Sequence, residues 1–142
     1  MRILGLDYGT KTIGVAICDP FGWTAQGLET ITRQDPRNLI DSIKRIKELI
    51  DEYNVEKIIV GLPKNMNNTE GERVKSTMYF VNRICRELEI EVETFDERLS
   101  TVAAERILIE AQVRRENRKE YIDKIAASII LQTYLDSVSN KN

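Results

Sequence analysis

Apolar positions along this chain follow two rhythms, and the change from one to the other divides it into elements. Residues 2–7 and 13–19 are dense apolar runs parted by the short turn YGTKT, the mark of a hairpin. In the second run Ile13, Val15 and Ile17 share one parity, and Gly14, Ala16 and Cys18 share the other. One face is therefore bulky, the other small, and both read as covered. The first run repeats this, with Leu4 and Leu6 opposite Ile3, Gly5 and Asp7. Asp19-Pro20 and Gly22 mark the next turn, and residues 24–31 return as a third, more exposed strand. Asp35-Pro36 predicts a helix start, because the aspartate caps free N–H groups and proline suits the first helical position. Leu39, Ile43, Ile46, Ile50 and Tyr53 then recur at helical spacing.

The alternation continues to the end. KIIVGLP, residues 57–63, reads as a buried strand, KNMNN as a polar loop, and Val74, Met78, Val81, Cys85 and Leu88 as the apolar face of a second helix. Residues 91–95 form a strand with charge on one face. LSTVAAERILIEA predicts a helix capped by Ser100 or Thr101, and a last helix runs from about Glu120 to Asp136. This order predicts an α/β fold with a five-stranded mixed sheet. The first three strands form an antiparallel meander, the fourth and fifth run parallel through right-handed crossovers, and helices cover both faces. Residues 1–138 are expected to form a single domain, and residues 139–142 a short polar tail.

Composition narrows the chemistry. With 142 residues, 42% of them hydrophobic, the chain is long enough for one real core. No apolar stretch approaches a membrane span, and an acid at position 7 interrupts any leader pattern, so the expected location is the cytoplasm. There is no histidine, which removes Ser-His-Asp and Cys-His catalysis and imidazole metal ligands. Cys18 and Cys85 lack metal-site spacing and sit in apolar patterns, where a thiol behaves as a small hydrophobe. The formal net charge is −2, so any attraction for nucleic acid must be local, as in RRENRK at residues 114–119, which otherwise reads as a solvated loop.

Three acids stand in unusual settings. Asp7 ends a strand that looks covered on both sides, where an unpaired carboxylate is expensive; it either caps its own turn or binds a cation. The cluster Asp96, Glu97 and Arg98 ends the fifth strand at the edge where ligands gather in such sheets, or else forms an ordinary surface turn. Glu97 shares parity with Phe95 and turns inward if the pleat continues. Asp123 is followed one helical turn on by Ala126, Ala127 and Ile130, small enough in part for a close approach to the first strand, though an acid near a helix start is also stabilising by itself. Acids converging from these three elements suit magnesium, a hard cation that needs few carboxylates beside a substrate phosphate. A pair of such ions hydrolyses a phosphodiester without histidine.

LGLDYGTKTIGVAICD, IIVGLPKNMNNTEGER, FDERLST and YIDKIAASIILQTYL together resemble, in order and over nearly the whole chain, the YqgF family of ribonuclease H-like proteins. That family is linked to maturation of pre-16S ribosomal RNA and to resolution of Holliday junctions. The resemblance implies a ribonuclease H-like fold and a nuclease dependent on Mg2+ or Mn2+, with two ions held by Asp7, Glu97 and Asp123. Asn67 departs from the aspartate expected in that loop.

Around these acids, the backbone at Gly9 and Thr10 can admit a phosphate with Lys11 neutralising it, or the segment is a plain hairpin turn. Arg98 either clamps a phosphate or pairs with a neighbouring acid, and Arg114 and Arg115 precede Asp123 where they can follow a nucleic-acid backbone. Tyr8 and the single Trp23 can stack on unpaired bases, but packing is the usual role of a lone tryptophan. The expected partner is pre-ribosomal RNA, free or in a ribosomal particle, or branched DNA, bound by a monomer or homodimer. A nucleic-acid-binding assembly factor without catalysis, and a phosphotransferase built on the DYGTKTIG turn, are the competing readings.

Overall fold

In the computed structural model, which describes residues 2–35, 37–62, 71–96 and 118–139, the two opening runs pair as the hairpin their spacing predicts. Strand β1 (Arg2–Tyr8) lies antiparallel to β2 (Thr12–Cys18), which lies antiparallel to β3 (Ala25–Thr32). Strand β4 (Val55–Leu62) adds in parallel to the other side of β1, and β5 (Glu91–Asp96) adds in parallel to β4. The sheet order is β3-β2-β1-β4-β5, so β1 is central and its C-terminal end shares an edge with those of β4 and β5. Helices α1 (Ile40–Tyr53), α2 (Glu72–Leu88) and α3 (Arg118–Ser139) complete the described elements.

Parity along β1 sorts the core into two layers. Leu4, Leu6 and Tyr8 pack with Ile13, Val15 and Ile17 of β2 under Ile43, Ile46 and Leu49 of α1 and Phe80, Val81 and Ile84 of α2. On the other face Ile3, Ala16, Cys18 and Ile59 pack under Ala127, Ile130, Leu131, Tyr134 and Leu135 of α3. Helices on both faces follow from strands that carry no polar face at their centre.

Several sequence expectations shift when packing is added. Helix α1 begins at Ile40 rather than at Asp35-Pro36. Asp35 instead closes a turn, accepting the Arg37 N–H at 2.9 Å, and Asn38 repeats the device for the Ile40 N–H at 2.9 Å. Its buried stripe includes Leu49, with Ile50 half-buried beside it. On α2 the buried residues are Thr77, Phe80, Val81 and Ile84, while Cys85 is exposed. The large ring of Phe80 decides that rotation by stacking on Tyr8, with ring centroids 4.2 Å apart. Cys18 is buried as expected. The helix predicted for LSTVAAERILIEA lies outside the described residues.

Polar contacts at both edges fix α3 along the sheet. Gln132 accepts the Ala25 N–H at 2.9 Å and donates to the Trp23 carbonyl at 3.0 Å, tying the helix to the β2–β3 turn. At the other edge Lys57 donates to the Tyr134 hydroxyl at 2.8 Å and pairs with Glu93 at 2.7 Å. Burial opposes the Lys57 charge, but the bonds to Glu93 and Tyr134 outweigh it and hold its pKa above the ordinary lysine range. Among the described residues no helix is long and apolar enough to cross a membrane.

Candidate active site

The first candidate acid, Asp7, is half-buried one residue before the end of β1 and directly opposite Gly14 of β2. It has the parity of Ile3 and Gly5, so it lies on the sheet face that α3 covers. A side chain at Gly14 would place its Cβ 2.0 Å from the Asp123 carbonyl oxygen, so the helix backbone rests on bare strand there. Gly5 makes the same allowance one step along α3, where a Cβ would come 2.8 Å from that of Leu131. Asp123 is thus held against Gly14, the cross-strand neighbour of Asp7.

The side chain of Asp123 is oriented as well as placed. Thr12 donates its hydroxyl to Asp123 Oδ2 at 2.5 Å. Thr12 begins β2 immediately after the turn, and Gly9 closes that turn by donating its N–H to the Thr12 carbonyl at 2.9 Å. A Cβ on Gly9 would stand 2.9 Å from the same oxygen, so the turn has no room for one. Thr10 and Lys11 are exposed at its tip.

Beneath the turn lies Arg33, a residue that the sequence pattern did not single out. It is 8% exposed, donates from Nη1 to the Gly9 carbonyl at 2.5 Å, and lies 4.7 Å from the centre of the Tyr8 ring. Its main-chain N–H also donates to the Lys11 carbonyl at 2.8 Å. Arg73, from the first turn of α2, reaches the Tyr8 carbonyl at 3.5 Å. Arg73, Lys11, Thr12 and Asp123 line a cavity of about 350 Å³ beside Gly9 and Thr10. An acid, two cations and a close-approach glycine on one cavity wall make a suitable setting for a phosphate and its counterion.

The remaining candidates divide by position. β5 runs parallel to β4, with Phe95 beside Gly61 and Asp96 beside Leu62, so the chain leaves β5 at the same sheet edge as Asp7. Phe95 packs edge-on against Tyr134 of α3 with centroids 6.2 Å apart, which assigns it to the face of Asp7 and Asp96 to the opposite face. Glu97, Arg98, Arg114 and Arg115 lie outside the described residues, as does Asn67. Among the described residues no three potential metal ligands gather; Asp7 and Asp123 are the two of the three acids that they include. Tyr8 is buried against Phe80 and offers no free ring face at this edge. Trp23, where packing was expected, is 75% exposed, on the turn between β2 and β3 at the far end of the sheet.

A family model described as RuvX, Holliday junction resolvase, matches residues 1–137. The chain belongs to this family. Its relatives include a protein of Agathobacter rectalis, 54% identical over 140 residues that cover 99% of this chain and 98% of that one. Another, from Bacillus mycoides, is 57% identical over 137 residues, covering 96% and 99%. Both carry the description "Putative pre-16S rRNA nuclease". Among solved structures, Thermus thermophilus RuvC in complex with a Holliday junction substrate matches with a TM-score of 0.62 at 15% identity, over 99% of this chain and 96% of that one. At that identity the likeness speaks for the fold, and it bears out the expected ribonuclease H-like architecture of this RuvX-family chain.

Proposed function

We propose that this RuvX-family chain is a divalent-metal-dependent endonuclease that trims precursor 16S ribosomal RNA in the cytoplasm. The observation that carries the reading is the seating of α3 on Gly14, which brings Asp123 to the strand neighbour of Asp7. The description borne by relatives more than half identical over nearly their whole length supports RNA as substrate.

Asp7 and Asp123, joined by Glu97 from just beyond β5, would hold one or two Mg2+ or Mn2+ ions. The donor set fits such hard cations, because it offers carboxylate oxygens and the chain has no imidazole. When bound, these ions polarise the phosphate and lower the pKa of an attacking water. The chain's own residues do the positioning. Thr12 fixes the rotamer of Asp123, the turn at Gly9 and Thr10 lets a phosphate approach the backbone, and Lys11 offsets its charge. Arg98, Arg114 and Arg115 are the proposed contacts to the flanking strand. A monomer suffices for trimming one RNA end.

The family's description favours a second reading, cleavage of four-way DNA junctions, which calls for a dimer to cut two strands symmetrically. One experiment separates the two. A labelled precursor fragment and a labelled junction are incubated with wild type and Asp7→Asn, in magnesium, in manganese and in chelator. Metal-dependent cutting of the RNA is expected, falling on the order of 100-fold or more in the variant while RNA binding persists. Cutting of the junction alone selects the second reading. Cutting by pure Asp7→Asn at the wild-type rate, or binding of either substrate with no cutting by wild type, overturns the nuclease assignment.

A further inference from the structure

A second cavity, of about 300 Å³, lies across the Gly9–Thr10 turn from the one beside Asp123. Gly9, Thr10 and Arg73 line both, so a single turn of chain separates them. The second opens on the α2 side, where Tyr8, Arg33, Glu72, Ser76 and Thr77 complete its wall, and the cleavage site described above makes no use of it. We propose that this cavity binds the strand phosphate next to the one being cut, with Arg73 as its contact residue. The inference rests on the nuclease reading and specifies how that site grips its substrate.

Two guanidinium groups against one carboxylate leave the wall net positive. Arg33 is fixed in place by the Gly9 carbonyl, the Tyr8 ring and its own main-chain bond to Lys11. It is a braced charge under the turn, more weakly screened than a surface cation because it is buried. Arg73 is the opposite case. It is exposed, and its contact with the Tyr8 carbonyl is at the outer limit of a hydrogen bond. A phosphate accepts two parallel bonds from such a fork at much shorter range, so exchanging the carbonyl for the ligand is favourable. Ser76 stands one helical turn beyond Arg73 and adds a hydroxyl donor on the same side. A strand crossing Gly9 and Thr10 therefore presents one phosphate to Asp123 and Lys11 and the adjoining one to Arg73.

Equilibrium binding tests this without relying on cleavage. The probe is a fluorescein-labelled 12-nucleotide single-stranded RNA, measured by anisotropy in chelator from 50 to 200 mM salt. The proteins are full-length Asp7→Asn, and the same variant carrying Arg73→Ala or Arg73→Lys. Arg73→Ala is expected to weaken binding about 10-fold and to lower the salt slope by about 0.7, the value for one single-strand phosphate contact. Arg73→Lys is expected to restore the slope but not the full affinity, because lysine lacks the fork. Unchanged affinity and slope in Arg73→Ala, or no binding by the Asp7→Asn parent, overturns the proposal. So does pyrophosphate binding that depends on Arg73 while RNA affinity does not, which marks a site for free phosphates. Should Arg73→Ala melt below its parent, Arg73→Gln replaces it. A wild type that cuts nothing would sink the nuclease reading while leaving these binding results intact.

Discussion

Thr12 fixes what Asp123 can do. Its hydroxyl donates to Oδ2 at 2.5 Å, which sets the carboxylate's rotation and the direction in which it presents its lone pairs. Thr12→Val keeps the shape and removes the donor, so cleavage is expected to fall about 10- to 100-fold, with more magnesium needed for half-maximal rate. Thr12→Ser keeps the donor and is expected to stay within a few-fold of wild type. A magnesium titration of the three proteins checks this, and equal curves for Val and Thr would remove Thr12 from the site. Asp7 and Asp123 stood out as candidates in the sequence because a carboxylate amid apolar or small neighbours demands a reason. Thr12 and Arg33 were not, since hydroxyls and cations near a turn look like any surface, and only the fold reveals what they touch. Trp23 shows the reverse failure: the tendency of tryptophans to pack did not survive its place on a turn outside both core layers.

At the scale of elements, the seat of α3 is the sensitive joint. Gly14→Ala drives a methyl into the Asp123 main chain, and the helix must lift to admit it. Thermal or denaturant unfolding is expected to show a loss of about 2–3 kcal/mol, with cleavage falling further than the residual folded fraction explains. Wild-type stability in Gly14→Ala would mean that the helix does not rest there. The small face of β2 was readable from Gly14, Ala16 and Cys18, and Ala126 and Ala127 were read as bringing Asp123 toward the first strand; the structure seats Asp123 on Gly14 of β2, one strand over. The rotation of α2 was not, because two apolar stripes compete on it and the stack of Phe80 on Tyr8 decides between them.

The β2–β3 turn carries a separate expectation. Asp19 accepts the Thr24 hydroxyl at 2.6 Å and the Trp23 N–H at 3.1 Å, with further bonds from the Thr24 and Phe21 N–H groups. The Thr24 hydroxyl, then the Trp23 N–H, lower its pKa to about 2 from an ordinary 3.8. Since the folded value is depressed, the turn's contribution is whole above about pH 3.8 and fades as pH falls toward 2. The Asp19 carboxyl carbon, followed by NMR, is expected to titrate near pH 2. A midpoint near 3.8 would show that those bonds do not persist in solution.

Across the whole molecule, strand directions followed from the sequence through its opening meander and helical crossovers, and the placing of β4 beside β1 came with the structure. Boundaries moved by a few residues where local turns intervened, as at Asp35 and Asn38. The site itself is assembled from distant parts. Thr12 and Asp123 are 111 positions apart, and the helix bearing Asp123 is the last described element to be synthesised. At roughly 5–20 residues per second, that separation is roughly 6 to 22 s of translation. Through that interval the growing chain carries Asp7 and Thr12 without Asp123. On the proposed reading, a nuclease whose target belongs to ribosome assembly has an incomplete site until this last described helix has left the ribosome.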